Sequence, residues 1–578
     1  MLPVRNEIVT RIASLTDLTP QEVEAALEIP HDPKLGEYAF PCFPLARRLK
    51  KSPQIIASDL AEHPWSSEYL ERAESVGPYL NFYVRRSFLF KTLLPQILRE
   101  GPVYGTLKEG EGKTVLVDYS APNIAKPFSV GHLRSTVIGN ALCRLYRALG
   151  YKVVGINHLG DWGTQFGKLI VAYRRWGEAE RLLEEPVNYL YRLYVRFHQE
   201  AEHEPELDEE ARAWFRRLEK GDPEARKLWE HFRALSLEDF QRLYRYLGIS
   251  FDSYMGESDY NDRLEGTIEM ARARDLVKES EGALVADLEP YGLPTCLLQK
   301  KDGAALYITR DLAAAIYRHK TYSFDRMLYV VGAEQTLHFQ QFFKILELLG
   351  FTWAENCIHV PFGLIHFKDG RMSTRQGKVI FLEEVLKRAV ELARETIEEK
   401  NPSLEEKDSV ARAVGLGSVI FGDLINDRIK DVEFDWEKVL DFAGETAPYI
   451  QYSHARICSI LRRAAAEDRN TDTPVVSQPG DATSQEPSLL GEPEEEALII
   501  AIAHFSEEIV RAVRDNRPSY LARYLLELAR GFNKFYHNCP VLTAEKELRE
   551  GRLQLVAGVR IVLRNGLAML GIEAPQEM

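Results

Sequence analysis

The chain is 578 residues long, 45% hydrophobic and 28% charged, a globular composition with apolar material for three or four cores, since a single core stops growing near ~250–300 residues. No apolar run approaches the ~18 residues a membrane helix needs, and Met1-Leu2-Pro3-Val4-Arg5-Asn6-Glu7 lacks the apolar stretch of a signal peptide, so membrane-spanning and exported classes are excluded and no membrane partner is expected. The formal charge of −14 argues against a uniformly basic nucleic-acid binder.

Residues 1–110 form a first region of helical and short strand patterns, ending in Gly77-Pro78-Tyr79-Leu80-Asn81-Phe82-Tyr83-Val84, which alternates like a strand with one exposed face. Arg47, Arg48, Lys50 and Lys51 cluster beside Phe40 and Phe43; a charge run is ordinarily a solvated helix face, and beside aromatics it also suits RNA. Val115-Leu116-Val117 reads as a buried strand, Leu133, Ile138, Leu142, Leu145 and Leu149 recur at helical spacing, and Lys152–Ile156 returns as a second strand. A charged helical stretch follows at about 172–250, and Leu328-Tyr329-Val330-Val331 is a further strand. Residues 111–400 therefore predict a doubly wound, Rossmann-type α/β domain with a parallel sheet, split by a helical insertion, behind an N-terminal α+β domain.

Residues 401–578 predict an all-helical bundle, with Leu521, Tyr524, Leu525, Leu528, Phe532 and Phe535 on one apolar stripe. Residues 467–496 hold nine acids against Arg469 alone, and their Pro, Ser, Thr and Gly content predicts a solvated loop. More than half of the net charge sits there, whereas residues 500–578 carry eleven Lys and Arg against nine acids, which leaves local basic faces for a polyanion. The six cysteines are scattered without a Cys-x-x-Cys pair, which predicts reduced thiols in a cytoplasm and no structural zinc.

Chemistry concentrates where the first strand of the α/β domain meets its helix, over Asp118-Tyr-Ser-Ala121-Pro122-Asn123-Ile-Ala-Lys126-Pro-Phe-Ser129-Val-Gly131-His132-Leu-Arg-Ser-Thr136. In a βαβ unit ligands lie beyond the carboxyl ends of the strands, and a helix opening at Gly131-His132 turns its free N–H groups toward an anion such as a triphosphate. Gly131 removes a side chain where a flat base or ribose approaches; the bland alternative is a helix cap with a surface imidazole. Four further segments follow in order: Asn157-His158-Leu159-Gly160-Asp161-Trp162-Gly163-Thr164-Gln165-Phe166-Gly167, Tyr307-Ile308-Thr309-Arg310-Asp311, Val331-Gly332-Ala333-Glu334-Gln335 with His338, and Arg371-Met372-Ser373-Thr374-Arg375-Gln376-Gly377-Lys378.

Together these segments resemble the arginyl-tRNA synthetase family of class I. The first matches the His-x-Gly-His signature, with Ser129 in place of the first histidine, and the last matches Lys-Met-Ser-Lys-Ser, with Thr374 in place of the second lysine. The resemblance implies a two-step reaction in which the arginine carboxylate attacks the α-phosphate of ATP, and the terminal ribose hydroxyl of tRNA then takes the arginyl group. It assigns Asp118, Ala121, Pro122, Asn123, His132, Tyr307, Asp311 and Gln335 to arginine, and Ser129, Gly131, His132, Gly332, Glu334 and Met372 to ATP. A planar cation calls for carboxylates and flat acceptors in a fork, which suits Asp118, Tyr307, Asp311 and Gln335. Asp118 stands where many relatives carry glutamate, and Asp311 alone also reads as a helix N-cap.

Charge developing on the phosphates needs neutralisation and positioning. Lys126 occupies the position from which such enzymes supply the lysine missing at Thr374; with Arg371 it forms the phosphate-neutralising pair, supported by Ser373 and Arg375, while Ser129 and His132 donate hydrogen bonds. The resemblance further implies Mg²⁺ with the nucleotide, no prosthetic group, and a monomer that binds tRNA(Arg). For the RNA it implies Tyr79 and Asn81 at the tRNA elbow, and Tyr449, Tyr452, Arg456 and Tyr536 at the anticodon, where aromatic rings suit unstacked bases. Two other readings remain open: a weakened RNA-binding relative, suggested by Ser129 and the altered second signature, and a class I synthetase for another amino acid.

Overall fold

The computed structural model describes residues 1–30, 32–301, 303, 306–367, 381–434, 444–469 and 490–578. Near the amino end, Tyr38–Pro41 (β1), Leu70–Val76 (β2) and Tyr79–Val84 (β3) form an antiparallel sheet with β3 in the centre. The expected alternation along β3 does not form: Leu80, Asn81 and Phe82 are buried one after another. The reason is that β3 is paired on both edges and covered by helix Pro53–Ala61. Phe40 also points into this core. From β1, Tyr38 donates its hydroxyl to Glu507 of helix Phe505–Arg514, which joins the sheet to the last helices of the chain.

The second sheet is parallel. Thr114–Asp118 (β4) and Lys152–Ile156 (β5) open it, and the chain then leaves to build a separate antiparallel sheet from Val277–Ser280 (β6), Ala283–Ala286 (β7) and Cys296–Gln299 (β8). It returns with Arg326–Tyr329 (β9) and Cys357–His359 (β10), giving the order β10-β9-β4-β5. β9 thus begins and ends before the apolar run Leu328–Val331 suggests. Successive side chains on a strand face opposite ways, so Val115 and Val117 enter the core shared with helix Leu133–Ala148, while Leu116 enters another with helices Tyr307–Tyr322 and Thr336–Leu348. Burial on both faces explains why β4 reads as an unbroken apolar run.

Between β5 and β6 lies the helical insertion, built mainly from Thr164–Trp176, Pro186–Ala201, Glu206–Glu219 and Pro223–Leu247 and starting earlier than expected. Beyond β10, Ile365–Phe367 (β11) pairs in parallel with Val432–Phe434 (β12), the one strand among the described residues after 400. The stripe on helix Pro518–Asn538 is core, with Leu521, Leu525, Leu528, Phe532 and Phe535 buried. Tyr524 donates its hydroxyl to the Ala501 carbonyl.

The acidic loop expected over 467–496 is corrected at its ends. Helix Ala447–Arg469 includes Glu467, and helix Pro493–Ala503 takes in Glu494, Glu495 and Glu496. Glu492 N–H donates to the Glu495 carboxylate at 2.9 Å, which closes a helix cap. The other Glu495 oxygen accepts from Arg552 Nε at 2.7 Å, a buried pair that a count of charges cannot distinguish from solvated acid. Residues 470–489 lie outside the described residues. All six cysteines are buried and free. Among the described residues no helix is long and apolar enough to cross a membrane.

Candidate active site

The strand order reverses between β4 and β9, so the crevice at their carboxyl ends is where a doubly wound sheet takes its ligands. β4 ends at Asp118, and the chain then makes a loop in which Ser120, Ala121 and Ala125 all adopt positive φ, at 72°, 45° and 60°. Left-handed backbone at non-glycine residues costs energy and persists where surrounding contacts over-determine it. Those contacts are visible. Ser120 N–H donates to Ser135 Oγ at 2.8 Å, and Ser135 Oγ donates to the Val330 carbonyl at 2.7 Å, spanning the crevice from β4 to just beyond β9. Ser120 Oγ meets Thr136 Oγ1 and the Tyr244 hydroxyl, and Asn157 Nδ2 donates to that hydroxyl at 2.9 Å. Pro122 and Ile124 bond to Gly160 through their backbones, and a Cβ on Gly160 would lie 2.4 Å from Asn123 Oδ1.

The helix that follows opens with a single turn over Val130–His132 before continuing as Leu133–Ala148. Ser129 N–H donates to His132 Nδ1 at 3.2 Å. With that nitrogen acting as acceptor, the neutral ring carries its proton on Nε2, a donor available to a ligand oxygen. Burial, reinforced by the charge of Lys126, pushes the imidazole down to about 4, so it is neutral at physiological pH. A Cβ on Gly131 would meet only Ser129 Oγ, at 3.4 Å, so packing does not demand glycine there and the space above it is open. Gly332 is similar, with Glu334 Oε2 at 3.7 Å. Lys126 is half-buried, with Nζ 5.7 Å from the centre of the Tyr194 ring of the insertion.

The carboxylates of the arginine set are not equivalent. Asp118 is buried and its Oδ2 accepts from Arg318 Nη1 at 2.8 Å. One of its oxygens is therefore held by an arginine of the chain itself, which corrects the picture of a carboxylate left wholly for a ligand. Among the described residues, Arg318 Nε and Nη2 and the Tyr329 hydroxyl, all buried, have no hydrogen-bond partner beside it. Asp311 is not a helix cap, because its helix begins at Tyr307. Its Oδ2 lies 2.7 Å from His338 Nε2. Tyr307 is 63% exposed at the start of the same helix, and Gln335 is exposed in the short turn Ala333–Gln335. Arg371, Met372, Ser373 and Arg375 lie outside the described residues. Just after them, Phe381 forms a bridge with Ser129 and Leu382 N–H donates to the Phe128 carbonyl at 2.9 Å.

Of the residues matched to RNA contact, three come together. Arg456 Cζ lies 4.7 Å from the Tyr452 ring centre and 5.4 Å from that of Tyr536, and Nη1 donates to Asn533 Oδ1 at 2.6 Å. Both tyrosines are exposed. Tyr449 is half-buried against the core. In the amino-terminal region Tyr79 meets Phe43 edge to face at 5.9 Å, and Phe43 is exposed. Asn81 is only 2% exposed, so its amide cannot be presented to a nucleotide as the resemblance implied; the central position of β3 is the reason. Arg48 and Lys51 are paired with Glu22 and Asp59, which leaves Arg47 and Lys50 as the exposed cations of that cluster without such a pair in view.

Residues 93–436 match the family of class I tRNA synthetases (R), catalytic domain, residues 3–84 the arginyl tRNA synthetase N-terminal domain, and residues 450–578 the DALR anticodon binding domain. The chain is 46% identical to the arginine–tRNA ligase of Halothermothrix orenii over 100% of both chains. It is 48% identical to that of Clostridioides difficile over 98% of this chain and 97% of the relative. The chain belongs to the class I arginyl-tRNA synthetases. Among solved structures, the Thermus thermophilus arginyl-tRNA synthetase aligns with a TM-score of 0.81 at 29% identity, covering 96% of each chain. That of Plasmodium falciparum aligns at 0.79 and 23% identity over 96% of this chain and 94% of its own, a likeness of fold.

In this synthetase the stretch 118–136 has two kinds of residue. Arg134, Ser135 and Thr136 are architectural: Arg134 is buried, with Nε donating to Asp423 Oδ1 at 2.7 Å and Nη1 to the Gly363 and Lys430 carbonyls. Ser129 is buried, His132 half-buried and Gly131 exposed at the helix opening. Reading the sequence missed Arg318 and Glu257. Arg318 sits on the helix that opens at Tyr307, and its signal is faint, one cation two turns beyond Asp311 on the same helical face. Glu257 follows Gly256 in a turn beside that helix, and burial pushes its carboxyl up to about 8, with Arg310 opposing and Asp311 and Asp161 adding to the rise.

Proposed function

We propose that this synthetase joins L-arginine to tRNA(Arg) through arginyl-adenylate, consuming ATP and releasing AMP and pyrophosphate, with the crevice between β4 and β9 as the site of both steps. The observation that carries the reading is the Asp311 carboxylate, in the first turns of helix Tyr307–Tyr322 and 2.7 Å from His338 of the helix that follows β9, on the sheet whose β4 leads into the Gly131–His132 helix opening. Asp311 receives the guanidinium with Tyr307 and Gln335, displacing or sharing the His338 contact, while Asn123, Ala121, Pro122 and His132 hold the backbone end of the amino acid. The carboxylate then stands in line with the α-phosphate. His132 Nε2–H and Ser129 donate toward the phosphates, and Lys126 neutralises charge as it moves onto pyrophosphate. Gly131, Gly332 and Glu334 accommodate adenosine.

Mg²⁺ enters as part of the nucleotide. Labour divides along the chain: residues 1–110 hold the tRNA elbow through Tyr79 and its neighbour Phe43, residues 111–400 catalyse, and residues 401–578 read the anticodon through Tyr452, Arg456 and Tyr536. The enzyme works as a cytoplasmic monomer. ATP–pyrophosphate exchange with each amino acid, with and without tRNA, tests the reading. Exchange with arginine that depends on tRNA is expected, since an RNA end that orders the site is induced fit. Exchange with another amino acid, or none under any condition, overturns it.

A further inference from the structure

Asp161, in the segment Asn157–Gly167, belongs to no step described above, yet it is fully buried and fully used. Its Oδ2 accepts from Arg233 Nε at 2.7 Å and from Ser258 Oγ at 2.9 Å, and its Oδ1 accepts from Ser258 N–H at 2.8 Å. Its backbone carbonyl accepts from Trp229 Nε1 at 2.8 Å. Arg233 and Trp229 lie on helix Pro223–Leu247 of the insertion, whereas Ser258 lies in the turn Gly256-Glu257-Ser258. Arg233 also pairs with Asp259, which accepts the Gly256 N–H at 2.9 Å. A Cβ on Gly256 would sit 2.5 Å from Asp161 Cγ, so the turn is pressed onto this carboxylate. Glu257 N–H donates to the Leu159 carbonyl at 3.0 Å, and Arg310 Nη2 donates to Asn261 Oδ1 at 3.2 Å, tying the same turn to the helix of Tyr307 and Asp311.

We infer that Asp161 is a positioning residue of the arginine site: it locks the Gly256–Ser258 turn to the helical insertion and thereby fixes Glu257 beside the Tyr307–Asp311 helix. The electrostatic influence of Asp311 on the Glu257 carboxyl is the sign that the turn reaches the site. A carboxylate with three directed donors over-determines the place of what it holds. Through this turn, movement of the insertion is transmitted to the arginine pocket.

The inference rests on Asp311 as a guanidinium ligand, so D311N accompanies the test. Steady-state charging with tRNA is measured for D161N, S258A, E257Q, the double D161N/E257Q and D311N, with separate KM values for arginine and ATP and an unfolding midpoint for each. D161N and S258A are expected to raise the arginine KM about tenfold with the ATP KM within about twofold, and D161N/E257Q to be no worse than the worse single variant, as for residues acting through one another. If D161N does not fold, S258A decides. Equal changes in both KM values, a fall in unfolding midpoint alone, or multiplying effects in the double variant overturn the inference. A normal arginine KM in D311N overturns the site reading itself; a raised one in D311N beside a normal one in D161N and S258A overturns only the positioning role.

Discussion

Arg318 donates to Asp118 across 2.8 Å at the carboxyl end of β4, and both side chains are buried. An internal guanidinium thus occupies one oxygen of a carboxylate matched to the substrate guanidinium. Removing one partner of a buried pair leaves the other charge uncompensated, which typically costs about 3–5 kcal/mol, whereas replacing both is far milder. R318M is expected to lose stability on that scale and D118N/R318M to regain most of it, measured by urea unfolding. Equal stability of the two variants would show that Asp118 has another compensating partner.

Among the described residues Asp311 is hydrogen-bonded by His338 and by no arginine or lysine, so on the proposed reading the substrate's charge falls chiefly to it. D311N keeps the shape and removes the charge, and arginine kcat/KM should drop by about 2–4 kcal/mol with the ATP KM little changed. D118N should lose less, because its charge is already balanced by Arg318. A larger loss in D118N than in D311N reverses the assignment.

His132 provides a test in pH. Its folded value near 4 lies below the 6.5 of a free imidazole, so between those values the unfolded chain binds more protons than the folded one. The stability this ring contributes is present above about pH 6.5 and drains away as the pH falls through the interval. In H132N that part of the acid-side slope should vanish, and an NMR titration of the wild-type ring should show no midpoint above about pH 5. A midpoint near 6.5 would mean that the ring is solvated and its tautomer unfixed.

On the proposed reading Lys126 stands in for the lysine absent at Thr374, which lies outside the described residues. Lys126→Ala should lower kcat strongly and change the arginine KM less, because the contact strengthens as charge moves onto pyrophosphate. Adding Thr374→Lys should restore part of the loss, a non-additive result expected of two groups serving one charge. Near-normal charging by Lys126→Ala would transfer the role to Arg371 or Arg375.

Arg456 bridges the exposed rings of Tyr452 and Tyr536. Alanine at either tyrosine should weaken tRNA binding by about 1–3 kcal/mol, the range for a lost base stack. Arg456→Ala should weaken it further and flatten the salt dependence. Binding isotherms over a salt series check both; unchanged isotherms would return the cluster to surface packing.

The parts of the fold legible in the sequence are those whose causes are local. The run Val115-Leu116-Val117 and the spacing of Leu133, Ile138, Leu142 and Leu145 each state their own burial, and they met in the βαβ unit expected. The site segments were legible because their residues are close in sequence. What was not legible depends on partners far along the chain. Asp118 finds Arg318, and Glu495 finds Arg552, through tertiary packing that no pattern around either residue announces. β3 was misread for a related reason: alternation describes a strand with one wet face, and its place between β1 and β2 under a helix removes that face. Arg47 and Arg48 read alike in sequence, and only the position of Glu22 separates them.

Ser129 bridges Phe381, and Arg134 donates to Asp423 and to the Gly363 and Lys430 carbonyls. Every one of those partners is synthesised long after the residue that needs it. A nascent chain that has completed β4, β5 and the insertion still holds a buried-type arginine with no acceptors and a strand edge with no mate. Contacts so distant in sequence form late and slowly. The nucleotide pocket is accordingly among the last features of the molecule to close during translation, and truncated products that end before residue 423 lack the interactions that shape it. The dispersal of its supports along the chain thus means that a polypeptide ending before Lys430 lacks contacts that hold Arg134 in place.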